Sequence, residues 1–389
     1  MKTEKQHFDT GRPLRVLFVN RMAGMIRGGG ETFDLEIARQ LEKLGVQTSF
    51  LTGLPLFGSA RTPLDRPRSY AIRTPYTGWF PWDRVRGGWR LRMLDFVIFE
   101  HMAASWAAAR KDQFDVVQVC ELPFFVNAWK RKRTGVPVVM RLTAPNYYDP
   151  VDAVHQADAL IASGTTIQKL RSQLPHCINI PNAVDAEYFK PCFSRFRELN
   201  NYGNNDFLIL YVARMVPFKR HEFLLEAFKD VLAHVPQAKL ILAGTGPLES
   251  ALRKKVVESG IQAAVKFLGQ VSYSELPGIY SAADAAVVAS DEGESFCFSA
   301  LEAMAMELPI VATACGMLPE LVDEGKGGYI VSIGDREAFS ARLLLLARDR
   351  AAGKSLGEYN RQKVNRIHTW GGGAEKLISI YHDVKCSLL

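Results

Sequence analysis

The sequence predicts an α/β protein made of two doubly wound domains that face each other across a cleft. Short apolar segments alternate with amphipathic helical segments along most of the 389 residues, which is typical of parallel sheets covered by helices on both faces. This length allows about two domains with a core each. The polar segment 195–205, which contains NNYGNND after residue 199, separates two such runs and is predicted to be the linker.

In the first run, apolar segments bounded by turn residues predict the strands, and apolar residues at helical spacing predict the helices. The predicted strands lie at 14–19, 48–52, 116–120, 136–142, 159–162 and 177–180. The predicted helices lie at 31–44, 91–111, 124–133 and 165–174. The first domain is therefore predicted to span residues 12–190.

The second run repeats this alternation after the linker. Its predicted strands lie at 207–212, 239–243, 265–268, 285–289, 310–313 and 328–331. Its predicted helices lie at 222–233, 247–259, 273–281, 295–306 and 336–348. The second domain is predicted to span 206–365, and residues 366–389 are predicted to form a C-terminal helix that packs back on the first domain.

Composition narrows the class of protein. The polar start MKTEKQHFDTGRP predicts neither a signal peptide nor an anchor, and no uninterrupted apolar run is long enough for a transmembrane helix. Six cysteines stand without metal or disulfide spacing, which indicates a reducing, cytoplasmic compartment. The histidines form no HExxH, and no DxD pair is present, so no metal site is predicted.

A basic stretch stands out within the first domain. Residues 61–92 contain eight arginines against two aspartates, a local charge of +6, interleaved with aromatic residues. Such a stretch, above all 79–92, suits an anionic membrane surface or a phosphorylated acceptor. Because no nucleic-acid-binding motif accompanies the charge, no nucleic acid partner is predicted. The alternative is a solvated, irregular region without a partner. The residues concerned are Arg61, Arg66, Arg68, Tyr70, Arg73, Tyr76, Trp79, Phe80, Trp82, Arg84, Arg86, Trp89, Arg90 and Arg92.

Two carboxylates mark the second domain. Glu294 and Glu302 stand eight positions apart in the segment DEGESFCFSALE, after a short apolar run that ends at Ser290. Eight positions are a little over two helical turns, so both acids can face one side of a helix and its N-terminal end. This end lies at the carboxyl edge of a parallel sheet, where open α/β folds bind ligands.

Each half also begins with residues suited to phosphate. In the first half a strand leads through Gly28, Gly29 and Gly30 into a helix, whose N-terminal amides attract anions. A dinucleotide site is excluded, because the motif GxGxxG and an acid after the second strand are both missing. In the second half Arg214 and Lys219 follow a strand and suit a diphosphate. The tight turn at Gly244 is a third, weaker signal.

With these motifs the chain resembles the retaining glycosyltransferases of family 4, which have the GT-B fold of two Rossmann-like domains. The resemblance covers nearly the whole chain and depends on several motifs in the same order. They are GGGE at 28–31, PNAVDAEYF at 181–189, ARMVPFKR at 213–220, AGTGP at 243–247, FLGQVSYSEL at 267–276, ESFCFSALEAM at 294–304 and VATACGMLPELV at 311–322.

The resemblance implies a role for each matching residue. Arg214 and Lys219 would neutralise the donor diphosphate, and Glu294 would face the transferred sugar. Glu302 would hold the ribose hydroxyls, and the backbone of Val271 would read the base. The amides around Phe296, Cys297 and Phe298 would cradle sugar and phosphate, and the loop Gly28–Gly30 would close over the donor.

The resemblance also implies the reaction. The protein would be a metal-independent, retaining hexosyltransferase that uses a nucleotide-diphosphate sugar as donor substrate and needs no cofactor. Its acceptor would be a glycan or a lipid-linked precursor in polysaccharide or cell-envelope synthesis. We expect it in the cytoplasm or peripherally on the inner face of the membrane. A nucleotide-sugar epimerase of the same fold and a weakened protein that binds nucleotide sugar are the alternatives.

The chain departs from the family pattern, mostly in the first domain. Many relatives carry histidines where this chain has Gln118, Cys120 and Thr143, so no histidine is assigned as a catalytic base. The glycines usual after the first acid are Ser295 and Cys297. The donor base, the sugar, the acceptor, the linkage and the oligomeric state are not predicted.

Overall fold

The computed structural model describes residues 12–23, 29–55, 68–74, 88–143, 149–170, 172–294 and 296–387. The chain divides into two compact units. The first combines Met1–Asn182 with Trp370–Leu389, and the second is Ala183–Thr369. Each unit contains one sheet in which every described strand pair is parallel. The predicted α/β class with two doubly wound, Rossmann-like domains is therefore confirmed.

The sheet of the first unit has the strand order β3-β2-β1-β4-β5-β6-β7. Its strands are β1 (Arg15–Val19), β2 (Gln47–Pro55), β3 (Ser69–Thr74), β4 (Val116–Cys120), β5 (Val138–Leu142), β6 (Ala159–Ala162) and β7 (Ile178–Asn179). Its first helices are α1 (Gly29–Lys43), α2 (Gly88–Ala108), α3 (Pro123–Arg131), α4 (Ala153–Gln156) and α5 (Gly164–Leu170). The central strands are buried throughout because helices cover both faces of the sheet.

The sheet of the second unit has the order β10-β9-β8-β11-β12-β13. Its strands are β8 (Phe207–Val212), β9 (Ala238–Ala243), β10 (Val265–Gly269), β11 (Ala285–Val288), β12 (Ile310–Thr313) and β13 (Gly328–Val331). Its helices are α6 (Phe196–Leu199), α7 (His221–His234), α8 (Glu249–Glu258), α9 (Leu276–Ala282), α10 (Phe298–Ala305), α11 (Leu318–Leu321), α12 (Arg336–Arg348) and α13 (Arg350–Ile367). The strand order reverses between β8 and β11, and this topological switch point is where doubly wound folds bind ligands.

The last helix, α14 (Trp370–Cys386), belongs to the first unit and packs against α1. Trp370 meets Phe33 edge to face with ring centroids 5.6 Å apart. The Tyr381 hydroxyl donates to Gln118 Oε1 at 2.6 Å, and Lys385 lies 3.3 Å from Asp115. An aromatic contact, a buried hydrogen bond and an ion pair thus join α14 to the sheet and to α1.

The predicted linker at 195–205 is wrong, because this segment lies inside the second unit. Arg197 holds it there: its guanidinium donates to the Ala282 carbonyl at 2.8 Å and to Asp284 at 2.6 Å. The chain passes between the units at 182/183 and 369/370 instead. Neither crossing has an asparagine-rich segment like 199–205, which forms a surface turn of the second unit.

Strand β3 lies in the basic stretch, where no strand was predicted. Its residues alternate between exposed and buried only at its end, so the apolar signal of a strand is weak. It forms in register with β2 as the edge strand of the sheet, with Phe50 opposite Ser69 and Pro55 opposite Thr74. An edge strand pairs with another strand on one side only, and charged residues on its free side prevent pairing with other chains. The polar composition of β3 agrees with this position.

Candidate active site

The candidate site lies on the two loops that follow β8 and β11, at the switch point of the second unit. The first loop contains a 3-10 turn at Pro217–Lys219, and the second is the segment from Ser290 to Glu294. The backbone amide of Asp291 donates to the Phe218 carbonyl at 2.9 Å, so the loops are tied together directly. Gly293 packs on the Phe218 side chain, where an added Cβ would approach to 2.8 Å.

Lys219 and Glu294 form an ion pair on these loops. Only 13% of the lysine side chain and 8% of the glutamate side chain are exposed, so water screens the pair weakly. Arg220, in the left-handed region at φ 47°, ends the 3-10 turn and begins α7. The structure therefore brings together two of the three predicted catalytic residues.

The carboxylate of Glu294 has a second donor, the Ser290 hydroxyl, at 3.1 Å. A tight turn fixes its backbone: the amide of Glu294 donates to the Asp291 carbonyl at 3.0 Å. Glu294 precedes α10 by four residues. The helix begins at Phe298, three residues later than predicted, so Glu294 lies in the loop before α10 and Glu302 lies on the helix.

Two buried rings support the Lys219 loop, and sequence reasoning missed both. The Tyr211 hydroxyl donates to the Lys219 carbonyl at 2.9 Å, and the His221 ring lies 4.9 Å from the Tyr211 ring. Burial, aided by the charge of Lys219, lowers the pKa of His221 to about 4, so the imidazole is neutral at neutral pH. The pattern HEFLLEAF marks His221 only as the start of a helix, which carries no functional signal.

Arg214 follows β8 and is exposed, and its side chain makes no hydrogen bond or ion pair with the part of the chain that the structure describes. Its backbone is fixed by the turn after β9. Gly244 has φ +132°, and a Cβ there would lie 2.1 Å from the Ala213 carbonyl oxygen. The amide of Met215 donates to the Thr245 carbonyl at 2.9 Å. Gly244 thus allows the close approach that sets the position of Arg214.

Glu302 lies within α10, and the Tyr280 hydroxyl of α9 donates to its Oε2 at 2.9 Å. Burial raises the pKa of Glu302 to about 7, against the opposing effect of this hydrogen bond. A carboxyl that is half protonated near neutral pH can exchange its proton when a ligand binds. Tyr280 was not predicted, because its partner comes from an element twenty residues away.

The residues before α10 expose backbone donors. Among the described residues, the amides of Phe296, Cys297 and Phe298 make no hydrogen bond, as expected at a helix N-terminus. The rings of Phe296 and Phe298 meet edge to face at 5.0 Å. Burial raises the pKa of the Cys297 thiol to about 11, so it is neutral at neutral pH. The Val271 amide and carbonyl likewise have no described hydrogen-bond partner.

The predicted loop of the first unit falls partly outside the description. Gly28 lies outside the described residues, and α1 already begins at Gly29, so Gly29 and Gly30 are its first helical residues rather than a loop. Most of the basic stretch also lies outside the described ranges. Within β3, Arg73 is exposed and donates to the Pro55 carbonyl at 3.0 Å.

The positions without the family's histidines have structural partners. Gln118 accepts the hydrogen bond from Tyr381, and Arg141 Nη2 donates to Cys120 Sγ at 3.1 Å. Arg141 also donates to Asp34 at 3.0 Å, and both of these side chains are buried. The backbone amide of Thr143 donates to the Glu121 carboxylate. The first unit thus has a buried ion pair at the carboxyl end of β5, which the sequence did not reveal.

The described residues contain neither a cluster of metal ligands nor a membrane-spanning helix. No group of three or more His, Cys, Asp or Glu side chains in the described ranges could hold a metal ion. Within the same ranges, no helix has the length and apolar character needed to cross a membrane.

The match to known proteins agrees with this geometry. Residues 194–363, which lie in the second unit, match the family described as Glycosyl transferases group 1. The fold of the chain is GT-B. Anabaena HepE in complex with UDP superposes with a TM-score of 0.76 at 19% identity, covering 95% of this chain and 100% of that chain. Sucrose-phosphate synthase of Thermosynechococcus elongatus gives 0.74 at 20% identity, covering 96% and 100%.

Sequence relatives carry several different names. Spore coat protein SA of Bacillus subtilis is 26% identical over 72% of this chain and 81% of its own length. N-acetyl-alpha-D-glucosaminyl L-malate synthase of Bacillus anthracis is 27% identical over 52% of each protein. D-inositol 3-phosphate glycosyltransferase of Corynebacterium jeikeium is 32% identical over 53% of this chain and 51% of its own length. The last two matches thus span about half of each relative.

Proposed function

We propose that this protein is a glycosyltransferase that moves a sugar from a nucleotide-diphosphate sugar to an acceptor. The observation that carries the proposal is the buried Lys219–Glu294 pair on the loops of the switch point, within a glycosyl transferases group 1 domain. A fixed cation beside a carboxylate suits a substrate in which a negative diphosphate adjoins a neutral sugar.

The chemistry explains why both charges are needed. When the bond between the sugar and the diphosphate breaks, negative charge grows on the leaving phosphate and positive charge on the sugar. Lys219 and Arg214 stabilise the first charge more strongly in the transition state than in the ground state. Glu294 orients the sugar hydroxyls and stabilises the second charge.

The remaining donor contacts follow the family resemblance. Glu302 accepts hydrogen bonds from the ribose hydroxyls, and the free backbone groups of Val271 bind the base. The free amides at Phe296, Cys297 and Phe298 bind sugar and phosphate oxygens. By the same resemblance, Gly28, Gly29 and Gly30 would bind the donor phosphate. The assignment to family 4, retention of anomeric configuration and independence from metal belong to this proposal.

Names of similar proteins support a nucleotide-sugar donor. Similar solved structures contain UDP or UDP-glucose. Two sequence relatives are named D-inositol 3-phosphate glycosyltransferase and GDP-mannose-dependent monoacylated alpha-(1-6)-phosphatidylinositol monomannoside mannosyltransferase. We extend this to a glycan or lipid-linked acceptor in polysaccharide or cell-envelope synthesis. The enzyme would act in the cytoplasm, peripherally on the inner face of the membrane through residues 79–92.

Incubation of the purified protein with UDP-, GDP- and ADP-sugars tests the proposal. Glycosyltransferases release free nucleotide slowly without an acceptor, so one base and sugar should give release above the background. Arg214→Ala should abolish it, and Arg348→Ala, an exposed arginine of α12, should not. Tight nucleotide binding without release or transfer would favour the non-catalytic alternative, and conversion of the sugar while still attached would favour the epimerase.

A further inference from the structure

Two buried hydroxyl groups lie beneath the Lys219–Glu294 pair. Tyr211 belongs to β8 and Ser290 follows β11, and neither side chain is more than 1% exposed. Their oxygens are 3.4 Å apart. Each hydroxyl contacts a different member of the pair: Tyr211 contacts the Lys219 carbonyl and Ser290 contacts the Glu294 carboxylate.

Each hydroxyl has one proton to donate. The tyrosine contact with the Lys219 carbonyl is 2.9 Å, and the serine contact with Glu294 is 3.1 Å, both shorter than the contact between the two hydroxyls. The shorter contacts therefore take the protons. It follows that Tyr211 supports the backbone of the lysine, whereas Ser290 donates to the carboxylate.

Further contacts fix the backbone of Ser290 and the ring of Tyr211. The Ser290 carbonyl accepts hydrogen bonds from the Thr313 hydroxyl and, at 3.4 Å, from the Cys315 thiol. The neutral His221 ring packs on the Tyr211 ring. Because β8, β11 and β12 are adjacent strands, the two hydroxyls have a rigid base.

We propose that Ser290 and Tyr211 are positioning residues with separate tasks in donor binding and transfer. Ser290 holds the Glu294 carboxylate toward the sugar once Lys219 has turned to the diphosphate, and Tyr211 holds the lysine loop toward the diphosphate. This inference rests on the proposed function, because it requires a donor with both parts.

Ser290 is needed because Lys219 moves from Glu294 to the diphosphate when the donor binds. Without donor, Glu294 has two hydrogen-bond donors, Lys219 Nζ and Ser290 Oγ. A diphosphate carries more negative charge than a carboxylate and attracts the lysine. Glu294 then remains buried with the serine hydroxyl as its protein donor, and a buried carboxylate without a donor is strongly disfavoured.

Two single-atom deletions test the separation of tasks. In Tyr211→Phe, the dissociation constant of the nucleoside diphosphate should rise about 3- to 10-fold, as for loss of one neutral hydrogen bond. In Ser290→Ala that constant should stay within about twofold. Calorimetry with UDP, GDP and ADP, using whichever binds the wild type most tightly, provides the measurement.

The sugar-dependent readouts should show the opposite pattern. Ser290→Ala should lower kcat for donor cleavage about 10- to 100-fold and remove any affinity that the intact sugar nucleotide gains over the nucleoside diphosphate. Tyr211→Phe should raise KM and keep that gain. Matched controls are Ser340→Ala and Tyr359→Phe, which delete hydroxyls on α12 and α13 that donate to the Glu337 carbonyl and the Asp323 carboxylate, outside the two loops.

Every outcome decides the inference. The same pattern in both variants, or wild-type behaviour in both, would overturn the separate tasks while an active wild type left the proposed function standing. A wild type that binds none of the three nucleotides, or binds one and cleaves no donor, would overturn the proposed function and this inference with it. Thermal melting of each variant identifies general unfolding, and a variant that melts at low temperature is replaced by Ser290→Cys or Tyr211→Trp with the same readouts.

Discussion

Arg214 and Lys219 have the same proposed target but different surroundings. Lys219 neutralises the buried Glu294, whereas Arg214 is exposed and makes no ion pair with the described residues. Removal of either cation should lower turnover about 100-fold or more, because each stabilises charge that develops in the transition state. Steady-state kinetics of Arg214→Ala and Lys219→Ala checks this, and wild-type turnover in both variants would contradict the diphosphate assignment.

The two variants should differ in stability. Arg214→Ala should change the free energy of unfolding by less than about 0.5 kcal/mol, as for other surface substitutions. Lys219→Ala leaves a buried carboxylate without its cation and should lose on the order of 3 kcal/mol. Urea unfolding measures both values. Adding Glu294→Gln to Lys219→Ala should restore most of the loss, and no restoration would show that the loss has another source.

The two acids should affect different steps. Glu302→Ala should mainly weaken binding of the nucleoside diphosphate, whereas Glu294→Gln should mainly lower turnover and leave that binding nearly normal. The reason is that the free nucleotide contains the ribose but lacks the transferred sugar. Calorimetry and kinetics on both variants give the comparison. Equal loss of nucleotide affinity in the two would contradict these assignments.

Nucleotide binding should also depend on pH. Burial raises the pKa of Glu302 to about 7, so at pH 6 most of the free protein carries a protonated carboxyl. Ribose hydroxyls donate to the ionised form, so binding should release a proton at pH 6, and affinity should rise as the pH increases through 7. Calorimetry in buffers of different ionisation enthalpy counts the proton. In Glu302→Gln the release should disappear.

The charged residues of the site were predicted from the sequence, but the buried hydroxyl groups that contact them were not. Lys219 and Glu294 stand in motifs whose residue types indicate their chemistry, and the structure brings them together. Tyr211 and Ser290 look like ordinary residues of apolar strands. Their importance comes from a carbonyl and a carboxylate that only the folded loops place nearby, and no spacing along the chain records that distance.

At the scale of elements, α13 shows how a polar helix can be attached to the core of a unit. Arg361 donates to the Phe189 and Ala305 carbonyls, and Asn360 donates to those of Leu308 and Gly327. These bonds fix the C-terminal end of α10, whose other end carries the free amides of the site. The helix was not predicted as a separate element, because polar side chains rather than an apolar stripe attach it.

Two glycines of α13 give a matched pair of stability variants. A Cβ on Gly357 would lie 1.8 Å from the Glu307 carbonyl oxygen, whereas one on Gly353 would meet only side-chain carbons at 3.7 and 3.8 Å. Gly357→Ala should therefore destabilise the protein by about 1–3 kcal/mol or more. Gly353→Ala should be neutral or stabilising by up to about 1 kcal/mol, because alanine favours the helix.

Chemical denaturation of the two variants side by side provides the measurement. Since the substitutions are identical and lie one helical turn apart, helix propensity cancels in the comparison. Equal stability of the two variants would show that α13 does not pack closely on Glu307. If Gly357→Ala alone lowers nucleotide affinity, a displacement of α10 changes the nucleotide site.

Most strands were predicted within one or two residues, since buried parallel strands have clear apolar sequences between turns. Strand β3 was missed, and the boundary between the units was placed too late. Both errors have the same physical origin: polar composition was interpreted as loop or linker. Contacts such as those of Arg197 with Asp284 attach polar segments to a unit without any apolar pattern.

At the scale of the whole molecule, the net charge of +7 is concentrated in residues 61–92, which carry a local charge of +6. If residues 79–92 hold the enzyme on an anionic surface, each arginine contributes on the order of 1 kcal/mol, and salt weakens the attraction. Sedimentation with phosphatidylserine vesicles should show binding at low ionic strength that falls steeply as salt rises. Replacement of Arg84, Arg86, Arg90 and Arg92 by serine should abolish it.

A control variant that loses the same number of positive charges elsewhere tests whether vesicle binding depends on residues 79–92 or only on the net charge. Replacement of four exposed cations of the second unit by serine should leave vesicle binding nearly unchanged; these are Lys254, Lys326, Arg348 and Lys354. Vesicles of phosphatidylcholine should bind poorly in every case. A wild type that does not bind anionic vesicles at low salt would favour a water-soluble acceptor instead.

The attachment of α14 to the first unit has a consequence for biosynthesis. The apolar face of α1 leaves the ribosome before its partner helix, which emerges only after the whole second unit has been made. At about 5–20 residues per second, synthesis from Lys43 at the end of α1 to Trp370 at the start of α14 takes roughly 16–65 s. Throughout it Phe33 and Ile37 lack the cover that Trp370 and Gly373 later provide. The nascent first unit therefore offers an apolar surface to chaperones until α14 has been synthesised.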